Sequence, residues 1–145
     1  METSEKYEAL KLKNQICFPL YAVSNMIIRR YKPLLEKLDL TYTQYITMMV
    51  LWENKEMNVK KLGKCLFLDS GTLTPLLKKL EAKGYIERKR DTQDERNVVI
   101  SITEKGDKLK TQAISVPEEM AKELKLEPYE AENLYKTLYK LLDCK

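Results

Sequence analysis

Apolar residues recur at helical spacing through most of this chain, and the clearest stretch is Ser70 to Lys83, SGTLTPLLKKLEAK. Leu73, Leu76, Leu77 and Leu80 fall at i, i+3, i+4 and i+7, which makes one apolar stripe. The opposite face carries Gly71, Pro75, Lys78, Lys79 and Ala82, with Thr72 and Thr74 at its flanks. A helix with an apolar back and a small, polar, cationic front suits the major groove of duplex DNA. Gly84 is expected to stop it. The following IERKRDTQDERNVVISIT reads as two short β runs around a charged tip. A shorter helix, Val59 to Cys65 with Asn58 as its N-cap, precedes the stripe. Helix, turn, helix and ribbon in that order describe a winged helix-turn-helix.

The flanks read as helices. Between Tyr7 and Leu38, Ile16, Leu20, Val23, Ile27, Tyr31 and Leu35 recur at intervals of three and four. Pro19 and Pro33 interrupt this run, and proline lacks the N–H a helix interior needs. A bent helix and a second, short one are expected there. Thr41 or Thr43 caps the next helix, which should carry Tyr45, Ile46, Met49, Val50 and Trp52 into the core. Pro75 leaves one boundary open. With Ser70 as N-cap it lies past the first turn, whereas a start nearer Thr72 puts it inside the tolerated turn. After Thr103 comes a helix with Leu109, Ala113 and Val116, bent or restarted at Pro117. A last helix, about Pro128 to Cys144, sets Leu134, Leu138, Leu141 and Leu142 on one side. No repeat, low-complexity segment or flexible linker interrupts these elements.

The fold class is therefore mainly α with a small β-ribbon. Residues 41–103 form the winged helix-turn-helix lobe of a single 145-residue chain. Residues 5–38 and 104–145 are the flanking helices. Their apolar faces exceed what a small winged domain needs, so they are expected to pair two copies into a homodimer.

Charge sharpens this picture. From Lys55 to Arg96 there are 11 Lys/Arg against 7 Asp/Glu, and the remainder of the chain carries 15 of each. The whole net charge of +4 thus lies between Lys55 and Arg96, the stretch expected to meet DNA, where cations displace counterions from phosphate. The wing tip would be Arg88, Lys89 and Arg90 followed by DTQDER, with Arg96 reaching a minor groove and Asp94 orienting it. Taken alone, such a turn is equally an exposed charged loop.

Composition excludes much other chemistry. With no histidine there is no Ser-His or Cys-His pair and no His-based zinc site. Four glycines make a phosphate-cradling loop unlikely to form, and neither GxGxxG nor GxxxxGK[ST] occurs. No enzyme activity, cofactor or metal is expected. The opening METSEKYEALKLKNQ is too charged for an export signal, and no run is apolar enough for a membrane span. Three cysteines in that setting read as thiols of a reducing cytoplasm rather than a disulfide framework.

The segment from Leu68 to Gly106, with its GTLTPLLKKLE block, basic strand, DER tip and ITEKG turn, resembles the MarR family of bacterial regulators. LKNQICFPLYAVSN, RRYKPLLEKLDLTYTQY and LWE resemble, within it, the organic-hydroperoxide-sensing repressors. That resemblance implies a sensor thiol at Cys17, contacted across a dimer interface by Tyr31 and Tyr42. Tyr21, one turn after Cys17, can also line the site. It further implies that the reduced dimer binds double-stranded operator DNA. An organic hydroperoxide oxidises Cys17 to sulfenic acid, and a low-molecular-weight thiol or another cysteine completes the release. The residues by themselves say less: Cys17 is either a buried packing cysteine or, if Pro19 begins a helix, a thiol near its amino end. Cys65 reads as a core-facing or half-buried packing residue. The penultimate Cys144 is a poor match for a resolving cysteine.

The roles expected at the DNA surface are Thr72, Thr74 and Lys78 at base edges or phosphates, Ser70 near the helix amino end, and Lys79 on phosphate. Three other functions fit part of the pattern. They are a MarR-type regulator controlled by a small phenolic or apolar ligand, a thiol peroxidase using Cys17, and an architectural DNA binder without sequence choice.

Overall fold

The computed structural model describes residues 5–143, which fold as two compact units divided between Ala113 and Ile114. In the first unit two 3-10 turns, Glu8–Leu10 and Leu12–Asn14, precede α1, Cys17–Glu36. One continuous helix replaces the expected bent helix followed by a second, short one: no separate second helix forms before Glu36. Pro19 is the third residue of α1, where the backbone N–H has no intrahelical partner to lose. Pro33 removes only the bond to the Arg29 carbonyl, and α1 continues through it to Glu36.

Helix α2, Tyr42–Asn54, starts at a capping box: Gln44 N–H donates to Thr41 Oγ1 (3.3 Å) and Thr41 N–H donates to Gln44 Oε1 (3.0 Å). Its buried face is Gln44, Tyr45, Thr47, Met48 and Leu51. The expected face was rotated. Tyr45 is buried, but Met49 is 44% exposed and Ile46, Val50 and Trp52 are half-buried. Apolar residues circle most of α2, so periodicity does not choose a side. Thr47 goes inside because its hydroxyl donates to the Thr43 carbonyl at 2.8 Å.

Strand β1 is Glu56–Asn58, α3 is Val59–Leu66 and α4 is Ser70–Ala82. Asn58 caps α3 as expected, accepting from the N–H of Lys60 and Lys61. The N-cap of α4 is Asp69 rather than Ser70; its Oδ1 accepts from Thr72 N–H at 2.7 Å. Pro75 therefore sits inside the helix, one turn past its start. Leu73, Leu76, Leu77 and Leu80 are all buried and hold the helix in place despite it. Gly84 ends the segment with φ +79°, a conformation glycine adopts freely. Strands β2, Ile86–Arg90, and β3, Val98–Ile102, form the ribbon. The sheet order is β1-β3-β2, all antiparallel, with Met57 opposite Ile100 and Arg88 opposite Ile100 on its other side. Strand β1, three residues without alternation, was not anticipated.

Helix α5, Glu104–Ala113, closes the first unit, burying Gly106, Leu109 and Ala113. The second unit holds α6, Val116–Leu124, with Pro117 in its first turn as a restart, and α7, Pro128–Asp143. No residue of α7 is buried; Leu134, Leu138, Leu141 and Leu142 are 36–59% exposed. Cys144 lies outside the described residues.

Gly106 is the tightest backbone approach. A Cβ there would stand 2.2 Å from the Tyr85 carbonyl oxygen. Backbone cannot yield as a side-chain tip does, so Gly106→Ala should destabilise the chain by roughly 1–3 kcal/mol. A lower urea midpoint at unchanged slope checks this; an unchanged midpoint would show that α5 shifts freely.

Candidate nucleic-acid interface and thiol site

Burial of the leucine stripe turns the other side of α4 outward. Ser70, Gly71, Thr72, Thr74, Pro75, Lys78, Lys79 and Ala82 are all exposed, as their spacing predicted. Asp69, whose carboxylate accepts from the Thr72 backbone, is held below the ordinary carboxylate range by that bond.

The wing is a built turn. Asp91 N–H donates to Asn97 O (2.8 Å) and Asn97 N–H to Asp94 O (2.9 Å). Asp94 Oδ1 accepts from both Arg96 N–H (3.1 Å) and Arg96 Nε (3.2 Å). Asp94 thus shapes the tip and aims Arg96, whose side chain remains 92% exposed. A cleft of about 290 Å³ separates α4 from the wing, lined among others by Lys60, Thr74, Arg88, Arg96 and Asn97. Sequence reasoning missed Lys60, and it set Arg88, Lys89 and Arg90 at the wing tip whereas they lie in β2, before the turn. Arg88 is tied to Glu81 of α4 by its backbone N–H (3.2 Å) and Nε (3.3 Å), so α4 and the ribbon are pinned to each other. The only available signal was an acid seven residues before an arginine, and the Gly84 turn lies between them, so neither helix nor strand periodicity relates the two.

Cys17 is the first residue of α1 and is exposed, which removes the packing reading. Tyr21, one turn on, is 67% exposed. Cys65 is also exposed, against expectation, with its Sγ 4.0 Å from Met57 Sδ. It lies on the outer side of α3, whose core contact is made by Leu62 and Gly63.

Tyr31 and Tyr42 meet, with ring centroids 4.9 Å apart. Tyr45, unforeseen as part of this group, stands 5.8 Å from Tyr31 and 6.4 Å from Tyr42. Burial, helped by the two neighbouring rings, raises the Tyr31 phenol to about 12. Burial likewise raises Tyr42 and Tyr45. All three remain hydrogen-bond donors at neutral pH. Cys17 is not among them in one chain: Tyr31 follows it by fourteen positions on the same helix, about 21 Å at 1.5 Å per residue. Among the described residues no group of three or more His, Cys, Asp or Glu is placed to hold a metal ion. No described helix is long and apolar enough to cross a membrane.

The family model of the transcriptional regulators SarA/Rot matches residues 29–114, from the middle of α1 to just past α5. The chain belongs to this family of transcriptional regulators. The organic hydroperoxide resistance transcriptional regulator of Bacillus subtilis (strain 168) is 47% identical over 95% of this chain and 94% of its own length. Among solved structures, reduced AbfR bound to DNA, a protein of Staphylococcus epidermidis, is 34% identical with a TM-score of 0.75. It covers 96% of this chain and 99% of its own. MarR, 23% identical with a TM-score of 0.69 over 86% of this chain and 96% of its own, shares the fold. The resemblance to MarR-type regulators of the organic-hydroperoxide kind, carried by the motifs quoted above, is met by these relatives.

The tyrosine cluster generates a pH prediction. A phenol whose folded value lies above its unfolded value adds stability that is full below pH 10 and is lost as pH climbs toward 12. The urea midpoint should therefore fall across that window, and Tyr31→Phe should flatten the fall. Parallel pH curves for the two proteins would count against a buried Tyr31.

Proposed function

We propose that this chain is a homodimeric, operator-binding repressor whose affinity for DNA is switched off when an organic hydroperoxide oxidises Cys17. The observation that carries the reading is the pairing, on one chain, of an exposed thiol at the first turn of α1 with an exposed cationic helix and an aimed wing arginine. The Bacillus subtilis relative, named for organic hydroperoxide resistance, supports the oxidant class. The AbfR structures, described as reduced and DNA-bound and as disulfide-formed, support a thiol-linked DNA binder.

Thr72, Thr74 and Lys78 enter the major groove, with Ser70 at the amino end of the helix and Lys79 on phosphate. Arg96, oriented by Asp94, enters the adjacent minor groove. Two copies set two such helices about one duplex turn apart. The pairing surfaces are the apolar positions left uncovered on the flanking helices. Ile16, Phe18, Leu20 and Val23 of the first unit are 39–77% exposed, and α7 of the second buries none of its leucines.

At the thiol, Cys17 sulfur attacks one peroxide oxygen and the O–O bond breaks. The sulfur is oxidised to sulfenic acid, and the other oxygen leaves as the alcohol with a proton. A low-molecular-weight thiol then displaces water to give a mixed disulfide. Cys17 meets Tyr31 and Tyr42 of the other copy, whose protonated phenols donate toward a thiolate. Tyr21 lines the same side as Cys17. A regulator of this kind works in the cytoplasm and performs no turnover.

A ligand-controlled regulator is the second reading. It is favoured by a cavity of about 420 Å³ whose lining joins the apolar Ile28, Leu35, Leu40 and Tyr42 to charged side chains, Arg29 and Lys83 among them.

Affinity for the protein's own upstream DNA, reduced and after stoichiometric organic hydroperoxide, tests the proposal. Oxidation should abolish tight binding and dithiothreitol restore it, while Cys17→Ser should bind and ignore peroxide. A response that survives Cys17→Ser sinks the thiol reading and leaves the ligand. Arg96→Ala should weaken binding and reduce the log–log salt slope by about one. Unchanged affinity and slope would remove Arg96 from the interface.

A further inference from the structure

An unbroken series of contacts runs from the tyrosine pair to the end of the recognition helix, all within the first unit. Tyr42 opens α2, Tyr45 follows one turn later, and Tyr45 meets Trp52 edge-on with ring centroids 6.3 Å apart and planes at 69°. Trp52 Nε1 then donates to the Gly106 carbonyl at 2.8 Å. Gly106 N–H donates to Thr103 Oγ1 (3.1 Å), and Thr103 Oγ1 donates to the Gly84 carbonyl (2.6 Å). Gly84 is the turn that ends α4.

Two features make this more than adjacency. Trp52 is fixed by a directional bond from a side chain on one helix to backbone on another, fifty-four positions away. Its acceptor, Gly106, rests so closely on the Tyr85 carbonyl that not even a Cβ fits between them. Helix α2 spans about 15 Å from Tyr42 to Trp52 and is rigid over that length. A tilt imposed at Tyr42 therefore arrives at Trp52, where the indole N–H either stays on Gly106 or leaves it. The structure holds the bonded arrangement; the broken bond would be the second of the two states that coupling between distant sites needs.

We infer that Trp52 is a positioning residue that carries the state of the Tyr31–Tyr42 pair to the recognition helix through its bond to Gly106. The inference rests on the thiol-switch reading above, since it takes oxidised Cys17 of a second copy as the event that moves Tyr42. With the bond intact α4 is held for DNA; with it broken the seat of α4 loosens.

Trp52→Phe keeps an aromatic ring and removes the donor. Operator affinity should be measured for wild type, Cys17→Ser and Trp52→Phe, each reduced and after organic hydroperoxide. Couplings of this kind are ordinarily about five- to 150-fold. Trp52→Phe lacks the bond, so it should already bind several-fold more weakly than wild type when reduced and lose several-fold less affinity than wild type on oxidation. Release as complete as wild type's overturns the inference and leaves the thiol reading standing. A wild type indifferent to peroxide, or a Cys17→Ser that still responds, removes the thiol reading and this inference with it. Trp52 is the chain's single tryptophan, so its emission gives an independent readout in the unmutated protein. Oxidation should shift that emission and raise its quenching by acrylamide. If Trp52→Phe does not fold, unchanged wild-type emission and quenching on oxidation overturn the inference by themselves.

Discussion

Burial of one leucine stripe governs this molecule. Leu73, Leu76, Leu77 and Leu80 are each at most 6% exposed. Each buried leucine is worth roughly 1.5–3 kcal/mol of transfer free energy, as an upper estimate. An interior proline costs about 3 kcal/mol. The four leucines outweigh Pro75, so α4 runs unbroken from Ser70 to Ala82. Angular relations within a helix are fixed, so inward leucines force Thr72, Thr74 and Lys78 outward. The surface available for recognition is set by the core behind it.

What could be read from the sequence follows the same logic. Helices α3 and α4, the Gly84 stop and the ribbon were legible because one-sided periodicity and local capping residues coincide there. Helix α2 was legible as an element but not in its facing, because Tyr45, Ile46, Met48, Met49, Val50 and Leu51 leave no polar side to orient it. Pro33 misled because a proline near a carboxyl end removes one bond and need not end the helix. Asp69 was overlooked beside Ser70, an equally acceptable cap one residue later. Strand β1 is defined by its pairing with β3, a long-range fact that three residues cannot announce.

The candidate thiol site was legible only through resemblance. Nothing in the spacing of Cys17, Tyr31 and Tyr42 brings them together, and within one chain the first stands far along α1 from the others. The contact of Tyr31 with Tyr42 depends on how α1 packs against α2, and Tyr45 and Trp52 join by being on the inner side of α2. The exposure of Cys65 likewise depends on which face α3 presents. The short helix offers Leu62 and Gly63 to the core and turns the thiol away.

The acids of the basic lobe follow from the same division between holding and reading. A carboxylate near a DNA backbone would oppose binding by Coulomb repulsion, yet the stretch from Lys55 to Arg96 keeps seven of them. Three have a visible structural task. Asp69 caps the recognition helix, Glu81 pins Arg88 and so joins helix to ribbon, and Asp94 turns the tip and aims Arg96. Replacing any of them with a neutral residue raises the net positive charge and strengthens attraction to any duplex. It also frees the cation or helix end that the acid had positioned. Non-specific affinity grows with charge alone, whereas discrimination between sequences depends on fixed geometry. A net charge of only +4 from Lys55 to Arg96, with acids at a helix cap, a helix-to-ribbon tie and a turn, holds its cations in fixed geometry rather than spreading them over a uniformly basic surface.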